Sequence, residues 1–294
     1  ITCGVAEAIF ISMFSLLQEN DQILVPDPGY PAYPAIAKLL QTIPVPYPLS
    51  GENRFSLQAE EVISRINSHT KAILLNSPSN PTGGINEKEE LEKLALYLKD
   101  KEIMVISDEV YSGLTYNNYP VPSITDFLDL DGIVLLSGVS KEFSMTGWRI
   151  GWAVSSEYNI TELTKSHLYQ VSCAPSVSQK AAVAALHSNS EEVKECMLDN
   201  RNLMLYQLKN IADLKFIIPK AGLYFFVDVS DYGSGDTICR ELMHNAKVIT
   251  IPGSGFGEQG KDFIRLSFGA PQKDIEEGMQ RLKRFFSQKT KKIN

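Results

Sequence analysis

The chain has 294 residues, of which 44% are hydrophobic, and 28 basic against 35 acidic residues give it a net charge of −7. This length and composition predict a globular protein with one large and one smaller domain, and the lack of a basic block argues against a nucleic-acid partner. The four cysteines are scattered without CxxC spacing and there are only four histidines. We therefore expect no disulfide framework, no metal site and a cytoplasmic location.

The first predicted element is a core helix over residues 5 to 18, in the opening ITCGVAEAIFISMFSLLQ. Glu7 interrupts this apolar stretch and no basic leader precedes it. The stretch is therefore typical of neither a signal peptide nor a membrane helix, and we expect no membrane partner. Because Ile1 leaves no room for a strand before Gly4, we expect that a further N-terminal segment belongs to the complete protein.

Short apolar runs then alternate with segments of helical pattern, such as 87 to 99 and 160 to 171. The runs are DQILVPD, KAILLN, IMVISD, GIVLLS and IGWAVS. Continuous hydrophobic strands of this kind are typical of a mostly parallel sheet covered by helices, so the predicted fold class is α/β. Such sheets bind ligands at the carboxyl ends of their strands, which makes the loops after these runs the candidate functional segments.

The C-terminal part of the chain has a different pattern. An acidic, polar stretch over 187 to 210 predicts a long helix that leads to a smaller α+β unit. We therefore expect a large domain at 1–187, an interdomain helix at 188–211 and a small domain at 212–294. Within the small domain, GSGFGEQG at 253–260 lacks the strand, helix and downstream acid of a dinucleotide-binding fingerprint, and it predicts a loop.

Four loops contain unusual residues: DPGYPAYP, NSPSNPTGG, SDEVYSG and SGVSK. Taken singly, Asp108 is a candidate turn or N-cap residue, Asn80 a turn residue and Tyr30 a packed loop aromatic. Each also has a chemical interpretation, since Asp108 at a strand end could face a buried cation and Tyr30 could stack on a ring. Lys141, in the same SGVSKEFSMTGWR segment as Arg149, is either a solvated charge or a nucleophilic amine beside an anion site.

The combination is far more specific than its parts. An aromatic residue after an apolar run, NPTG, the SDEVY strand end, the SxxSK loop and the MTGWR run occur in this order. This pattern resembles the fold-type I aminotransferases of class I/II, which use pyridoxal 5′-phosphate (PLP), over essentially the whole chain. The resemblance implies a large PLP-binding domain, a small C-terminal domain whose N-terminal part is absent from this chain, and a homodimer with each active site at the subunit interface.

The resemblance also implies roles around the cofactor ring. Lys141 would form the internal Schiff base and then move the proton between substrate and cofactor, which requires an amine that spends part of its time neutral. Asp108 would pair with the protonated ring nitrogen. Tyr111 and Asn80 would hydrogen-bond the phenolic oxygen, and Tyr30 would stack on the ring face.

A second set of implied roles concerns the cofactor phosphate. Arg149 would clamp it as a planar fork, and Ser140 would add a hydroxyl. The remaining donors would be the backbone amides that open the first helix, at Gly4, Val5 and Ala6. Many members of the family have a serine three residues before the lysine, where this chain has Gly138, so one phosphate hydroxyl would be missing.

For the substrate, the resemblance implies that Arg265 in DFIRLSFG, with Asn80, binds the α-carboxylate. One bacterial aspartate-specific branch has a lysine where this chain has Ala6, so we expect a broad, neutral or aromatic L-amino acid as donor and 2-oxoglutarate as acceptor, with aspartate left open. Two alternatives to ping-pong transamination also stay open. One is a PLP-dependent C–S lyase on the same fold, and the other is a non-catalytic aminotransferase-like sensor domain.

Overall fold

The computed structural model describes residues 1–116, 119–211 and 214–291. In chain order its helices and strands are α1 (Val5–Leu16), β1 (Gln22–Asp27), α2 (Ala32–Leu39), β2 (Ile43–Pro48), α3 (Ala59–Ile63), β3 (Thr70–Asn76), α4 (Lys88–Leu98), β4 (Met104–Asp108), β5 (Ile133–Gly138), β6 (Gly151–Val154), α5 (Glu157–Val171), α6 (Ser176–His187), α7 (Glu191–Lys209), β7 (Lys215–Phe216), β8 (Tyr224–Asp228), α8 (Gly235–Glu241), β9 (Ile251–Pro252), β10 (Phe263–Ser267) and α9 (Gln272–Gln288). Across these ranges, no helix combines the length and apolar composition needed to cross a membrane.

The larger sheet has six strands in the order β2-β1-β3-β4-β5-β6. All neighbouring pairs are parallel except β5 and β6, which are antiparallel. Alternate residues of β1 enter different cores: Leu24 packs in a cluster with residues of α3 and α4, whereas Ile23 and Val25 pack in one with residues of α1, α2 and α5. Because both faces are covered, the central strands are apolar throughout, and the predicted α/β class is confirmed.

Strand β2 was not among the predicted strands, because proline normally argues against a strand. Its alternate residues are Pro44, Pro46 and Pro48. The strand lies at the edge of the sheet, and the intervening amides face β1, as shown by the Ile43 amide donating to the Asp21 carbonyl at 2.8 Å. The prolines therefore occupy the positions whose amides would point away from the sheet, where no donor is needed.

The smaller sheet has four antiparallel strands in the order β7-β8-β10-β9. Its own hydrophobic cluster includes residues of α7 and α9. Helix α7 corresponds to the predicted long helix, and its Asn200 amide donates to the carbonyls of Phe268 and Ala270 at 3.0 and 2.9 Å. The predicted domain start at residue 212 and the chain end at 292–294 lie outside the described residues.

Candidate active site

One cavity of about 350 Å³ lies where the loops after β1, β3, β4 and β5 meet. Predicted residues from the larger-sheet part of the chain and from the smaller sheet line this cavity. They are Val5, Ala6, Tyr30, Asn80, Asp108, Tyr111, Ser140, Lys141, Arg149 and Arg265. Gly4 does not line the cavity, but it adjoins the Arg149 side chain. The parallel sheet thus brings residues that are far apart in sequence to one edge.

The buried acid of the cavity is Asp108, the last residue of β4, which is only 4% exposed. The Tyr33 hydroxyl donates to its Oδ2 at 2.8 Å, and the Val110 amide donates to its Oδ1 at 3.2 Å. Burial raises the pKa of Asp108 to about 6, while these hydrogen bonds and the charge of Lys141 act in the opposite direction. The carboxylate is therefore mostly ionised at neutral pH, and it can accept a proton-bearing nitrogen.

An anion site lies at the N-terminus of α1. Gly4 has φ 89°, and a Cβ at this position would lie 2.5 Å from Arg149 Nη2. The guanidinium is held by the Thr146 carbonyl at 2.8 Å and the Cys3 carbonyl at 3.3 Å. With Ser140 on the same cavity, the amides at the start of α1 and the guanidinium form a positively charged cradle that can bind a phosphate.

The glycine in place of the family's serine has a steric reason. A Cβ on Gly138 would lie 2.8 Å from the Ile150 carbonyl oxygen and 2.9 Å from the Gly151 Cα. It would also approach the Val5 side chain at 3.3 Å. A serine here would push β6 and the start of α1 away from β5, so the close packing around the cradle excludes it.

Lys141 lines the same cavity as Asp108 and Arg149. Its Nζ is 5.6 Å from the centroid of the Tyr111 ring. Tyr111 is buried and its hydroxyl donates to the Tyr224 hydroxyl at 3.4 Å. Burial, followed by the neighbouring Tyr224, raises the pKa of Tyr111 well above its usual value. This phenol therefore keeps its proton at neutral pH and can act as a hydrogen-bond donor.

Arg265 reaches the cavity from β10 of the smaller sheet. Its guanidinium carbon lies between two rings, 4.1 Å from the centroid of Tyr224 and 4.8 Å from that of Phe256. Its Nη1 donates to Asn80 Oδ1 at 2.8 Å. The aromatic faces and the amide fix the plane of the fork, which is the geometry that a carboxylate needs.

The family follows from a comparison with known proteins. Residues 1–282 match the family model described as aminotransferase class I and II. The chain belongs to this family. It is similar to the aspartate aminotransferase of Bacillus subtilis, with 34% identity over 97% of this chain and 75% of that protein. It is also similar to aromatic-amino-acid aminotransferase 2 of Thermococcus litoralis, with 30% identity over 98% of this chain and 76% of that protein.

A comparison with solved structures supports the same family. The aspartate aminotransferase of Thermotoga maritima superposes with a TM-score of 0.92 at 33% identity, over 97% of this chain and 75% of that one. The family predicted from the motifs is thus confirmed, and the protein is a PLP-dependent aminotransferase. When bound, PLP supplies an electron sink for carbanion chemistry.

The cavity of this aminotransferase fits its cofactor. It offers a buried carboxylate for a protonated ring nitrogen in Asp108, an amine in Lys141, and a guanidinium beside a helix N-terminus in Arg149 and Val5. These are the three chemical features by which PLP differs from other small aromatic molecules: a basic ring nitrogen, an aldehyde and a phosphate.

Several lining residues of the aminotransferase were missed in the sequence. Tyr33 is three residues beyond Tyr30 in GYPAYP, and this repeat could have drawn attention to it. Asn76, the last residue of β3, accepts from the Asn80 amide at 2.9 Å and so positions that loop. Tyr224 has no comparable signal, because its role depends on how β8 packs against Tyr111.

Proposed function

We propose that the protein transfers the amino group of a neutral or aromatic L-amino acid to a 2-oxo acid, with 2-oxoglutarate as the first acceptor to test, in two half-reactions at this cavity. The observation that carries the proposal is the convergence of Lys141, Asp108 and Arg265 on one cavity of about 350 Å³. An amine, a buried acid and a carboxylate-binding fork are the groups that the two half-reactions require.

Lys141 would attach the cofactor through its amine and, once released by the substrate, would carry the proton to and from the substrate's α-carbon. Asp108 would hold the proton on the cofactor's ring nitrogen, and Tyr33 would keep the carboxylate oriented through its 2.8 Å hydrogen bond. Tyr111 would donate to the cofactor's phenolic oxygen together with Asn80. Each of these side chains lines the cavity, which supports the assignment.

The positions of the cations in the catalytic cavity support a neutral or aromatic amino acid as the amino donor. Among the described lining residues, the cations are Lys141, Arg149 and Arg265. We assign Lys141 to cofactor attachment and Arg265 to the substrate's α-carboxylate. Arg149 would bind the cofactor phosphate together with Ser140, Gly4 and the α1 amides. No further described cation of the lining is left for a distal carboxylate. The walls carry four tyrosines instead: Tyr30, which would stack on the cofactor ring, Tyr33, Tyr111 and Tyr224.

We further propose a homodimer and a cytoplasmic location. Apolar side chains are exposed on α1, α5 and α6: Phe14, Leu168, Tyr169, Val177, Val183 and Leu186. Apolar surface of this kind supports an interface between copies. The partner subunit would then supply the donors that the second carboxylate of 2-oxoglutarate needs. The four cysteines are free, which suits a reducing compartment. Light scattering tests the dimer, and a monomer with full activity would contradict it.

We also propose the division into a large domain at 1–187, an interdomain helix at 188–211 and a small domain at 212–294. The two separate sheets support it, since β1 to β6 lie in the first range and β7 to β10 lie in the last. Limited proteolysis tests this division, which predicts early cleavage near the connections at 188–190 and 210–214 rather than inside either sheet.

The donor assignment is tested by mixing the PLP-loaded protein with single amino acids and following the cofactor's absorbance in stopped flow. Phenylalanine, tyrosine and leucine are expected to react with second-order rate constants at least about tenfold above that of aspartate, because a side-chain carboxylate left unpaired costs at least about 1.4 kcal/mol, which is about a factor of ten. Glutamate is left out of this comparison because it is the amine formed from 2-oxoglutarate. A preference for aspartate would overturn the donor assignment while leaving transamination intact.

A further inference from the structure

A second cavity, of about 550 Å³, lies behind the turn that carries Asn80. It is lined by Gly51, Glu52, Arg54, Thr82, Gly83, Gly84, Ile85, Glu87, Tyr119, Arg201, Ile217, Ile218 and Lys220. None of the described residues lines both this cavity and the catalytic one, since Asn80 lines the catalytic cavity and residues 82–84 line the second one. The second cavity is therefore a separate compartment, one turn away from the chemistry.

Among the described cations of its lining, Arg201 of α7 is the least exposed, at 5%. Its Nε donates to the Pro219 carbonyl at 2.8 Å, and its Nη1 donates to Asn202 Oδ1 at 3.1 Å. Its guanidinium carbon lies 5.2 Å from the centroid of the Tyr116 ring. In the parts of the chain that the structure describes, Nη2 has no acceptor and no carboxylate lies within ion-pair distance of the guanidinium.

A buried guanidinium without a counter-charge is unfavourable, because it has lost its hydration and gained no opposite charge. Burial accordingly lowers the pKa of Arg201, while the nearby phenols of Tyr116 and Tyr119 act in the opposite direction. Arginine nevertheless stays protonated in proteins. The deep end of the cavity thus has an uncompensated positive charge with a free N–H donor, which is the chemical requirement for binding an anion.

The other charged groups of the lining do not neutralise it. Lys220 forms an ion pair with Glu87 at 3.0 Å and lies 4.9 Å from the centroid of the Tyr119 ring. Arg54 and Glu52 are both exposed and carry opposite charges. Among the described residues of the lining, the cations therefore exceed the anions by one, and this excess lies at Arg201.

The remaining wall is apolar. Ile85, Ile217 and Ile218 line the same cavity, and Ile218 is 41% exposed. A ligand that places one negative charge on the guanidinium would lay a short hydrocarbon body along these side chains. Burial of this body would add to affinity through the hydrophobic effect.

We propose that this second cavity binds a small aliphatic monocarboxylate, whose carboxylate accepts from the Arg201 guanidinium and whose hydrocarbon body packs on Ile85, Ile217 and Ile218. The site is independent of the amino donor proposed above. It places an organic anion against the turn that also positions Asn80 in the catalytic cavity.

The test must separate this site from Arg265, which also binds carboxylates. Isothermal titration of PLP-loaded protein with 4-methylpentanoate is therefore run on the wild type, Arg265→Gln, Arg201→Gln and the exposed control Arg240→Gln. We expect binding to persist in Arg265→Gln and Arg240→Gln. It should weaken at least about tenfold when Arg201→Gln is combined with Arg265→Gln, because a hydrogen bond to a charged group is lost. The neutral 4-methylpentanamide should also bind more weakly than the acid.

Loss of all binding in Arg265→Gln alone would overturn the proposal, as would unchanged affinity in the double variant. Tighter binding of inorganic phosphate than of 4-methylpentanoate would overturn the choice of a monocarboxylate. If Arg201→Gln does not fold, crystals of the wild type soaked in 4-methylpentanoate provide the second measurement. Difference density for the acid between Arg201 and Ile217 supports the site, and its absence there contradicts it.

Discussion

Replacing Asp108 by asparagine is expected to stabilise the cofactor-free protein at neutral pH while it weakens cofactor binding. Burial raises the pKa of this carboxyl from 3.8 to about 6 in the folded protein. At 1.36 kcal/mol per pH unit, ionising the carboxyl in its buried position costs about 3 kcal/mol of folding free energy at neutral pH. A neutral amide avoids this cost, but its single oxygen accepts only one of the two hydrogen bonds that Tyr33 and the Val110 amide donate, so the gain stays below this value.

The stability difference between Asp108→Asn and the wild type should depend on pH. Because the folded pKa lies above the unfolded one, the contribution of Asp108 to stability is complete below about pH 4 and is lost as the pH rises through about 6. The advantage of Asp108→Asn should therefore be near zero at about pH 4, grow between about pH 4 and 6, and reach at most about 3 kcal/mol above pH 7.

Urea unfolding of the cofactor-free protein at several pH values measures this difference. The exposed Asp100→Asn variant is the matched control, and its stability should stay within about 0.5 kcal/mol of the wild type. The affinity of Asp108→Asn for PLP should fall at least about thirtyfold, because one partner of a buried charge pair is lost. A stability gain that is the same at every pH, or a loss of stability at about pH 8, would refute the reasoning.

Three further substitutions test the surrounding contacts. Tyr33→Phe removes a hydrogen bond worth about 1.5–3 kcal/mol to the ionised form of Asp108 and so raises the pKa of this carboxyl further. When the pH is lowered, the affinity of the variant for PLP should therefore begin to fall at a higher pH than that of the wild type. Arg265→Gln should lower kcat/KM for amino acids at least about thirtyfold, whereas the same change at the exposed Arg284 should leave it unchanged. Gly4→Ala, at φ 89° and against Arg149, should weaken PLP binding about tenfold in an absorbance titration, and unchanged affinity would show that the cradle tolerates a side chain.

Much of the site could be predicted because the fold was predictable. The apolar runs correspond to β1, β3, β4, β5 and β6, and a parallel sheet places the loops after such strands at one edge. Motif residues such as Asn80, Asp108 and Lys141 therefore had to lie near one another. What the sequence could not decide is which of their neighbours complete the site, since Tyr224 and Phe256 approach only through the packing of the smaller sheet.

The loop at 253–260 shows the same limit. Its glycines predict a loop, and the structure has two short 3₁₀ turns there, Gly253–Phe256 and Glu258–Gly260. The amides of Glu258 and Gln259 donate to the carboxylate of Asp27 at 3.2 and 3.0 Å, which ties the loop to the end of β1. A contact between residues so distant in sequence has no local pattern. The loop that Asp27 holds in this way also carries Phe256, whose ring lies against the Arg265 guanidinium.

The most direct test of the central proposal is to identify the lysine that holds the cofactor. The PLP-loaded protein is reduced with borohydride, digested and mapped by mass spectrometry, with Lys141→Arg as the control. We expect the label on Lys141 in the wild type and no label at this position in the variant, because no other lysine lines the catalytic cavity among the described residues. A label on another lysine, such as Lys220 of the second cavity, or full transaminase activity in Lys141→Arg, would contradict the proposed site.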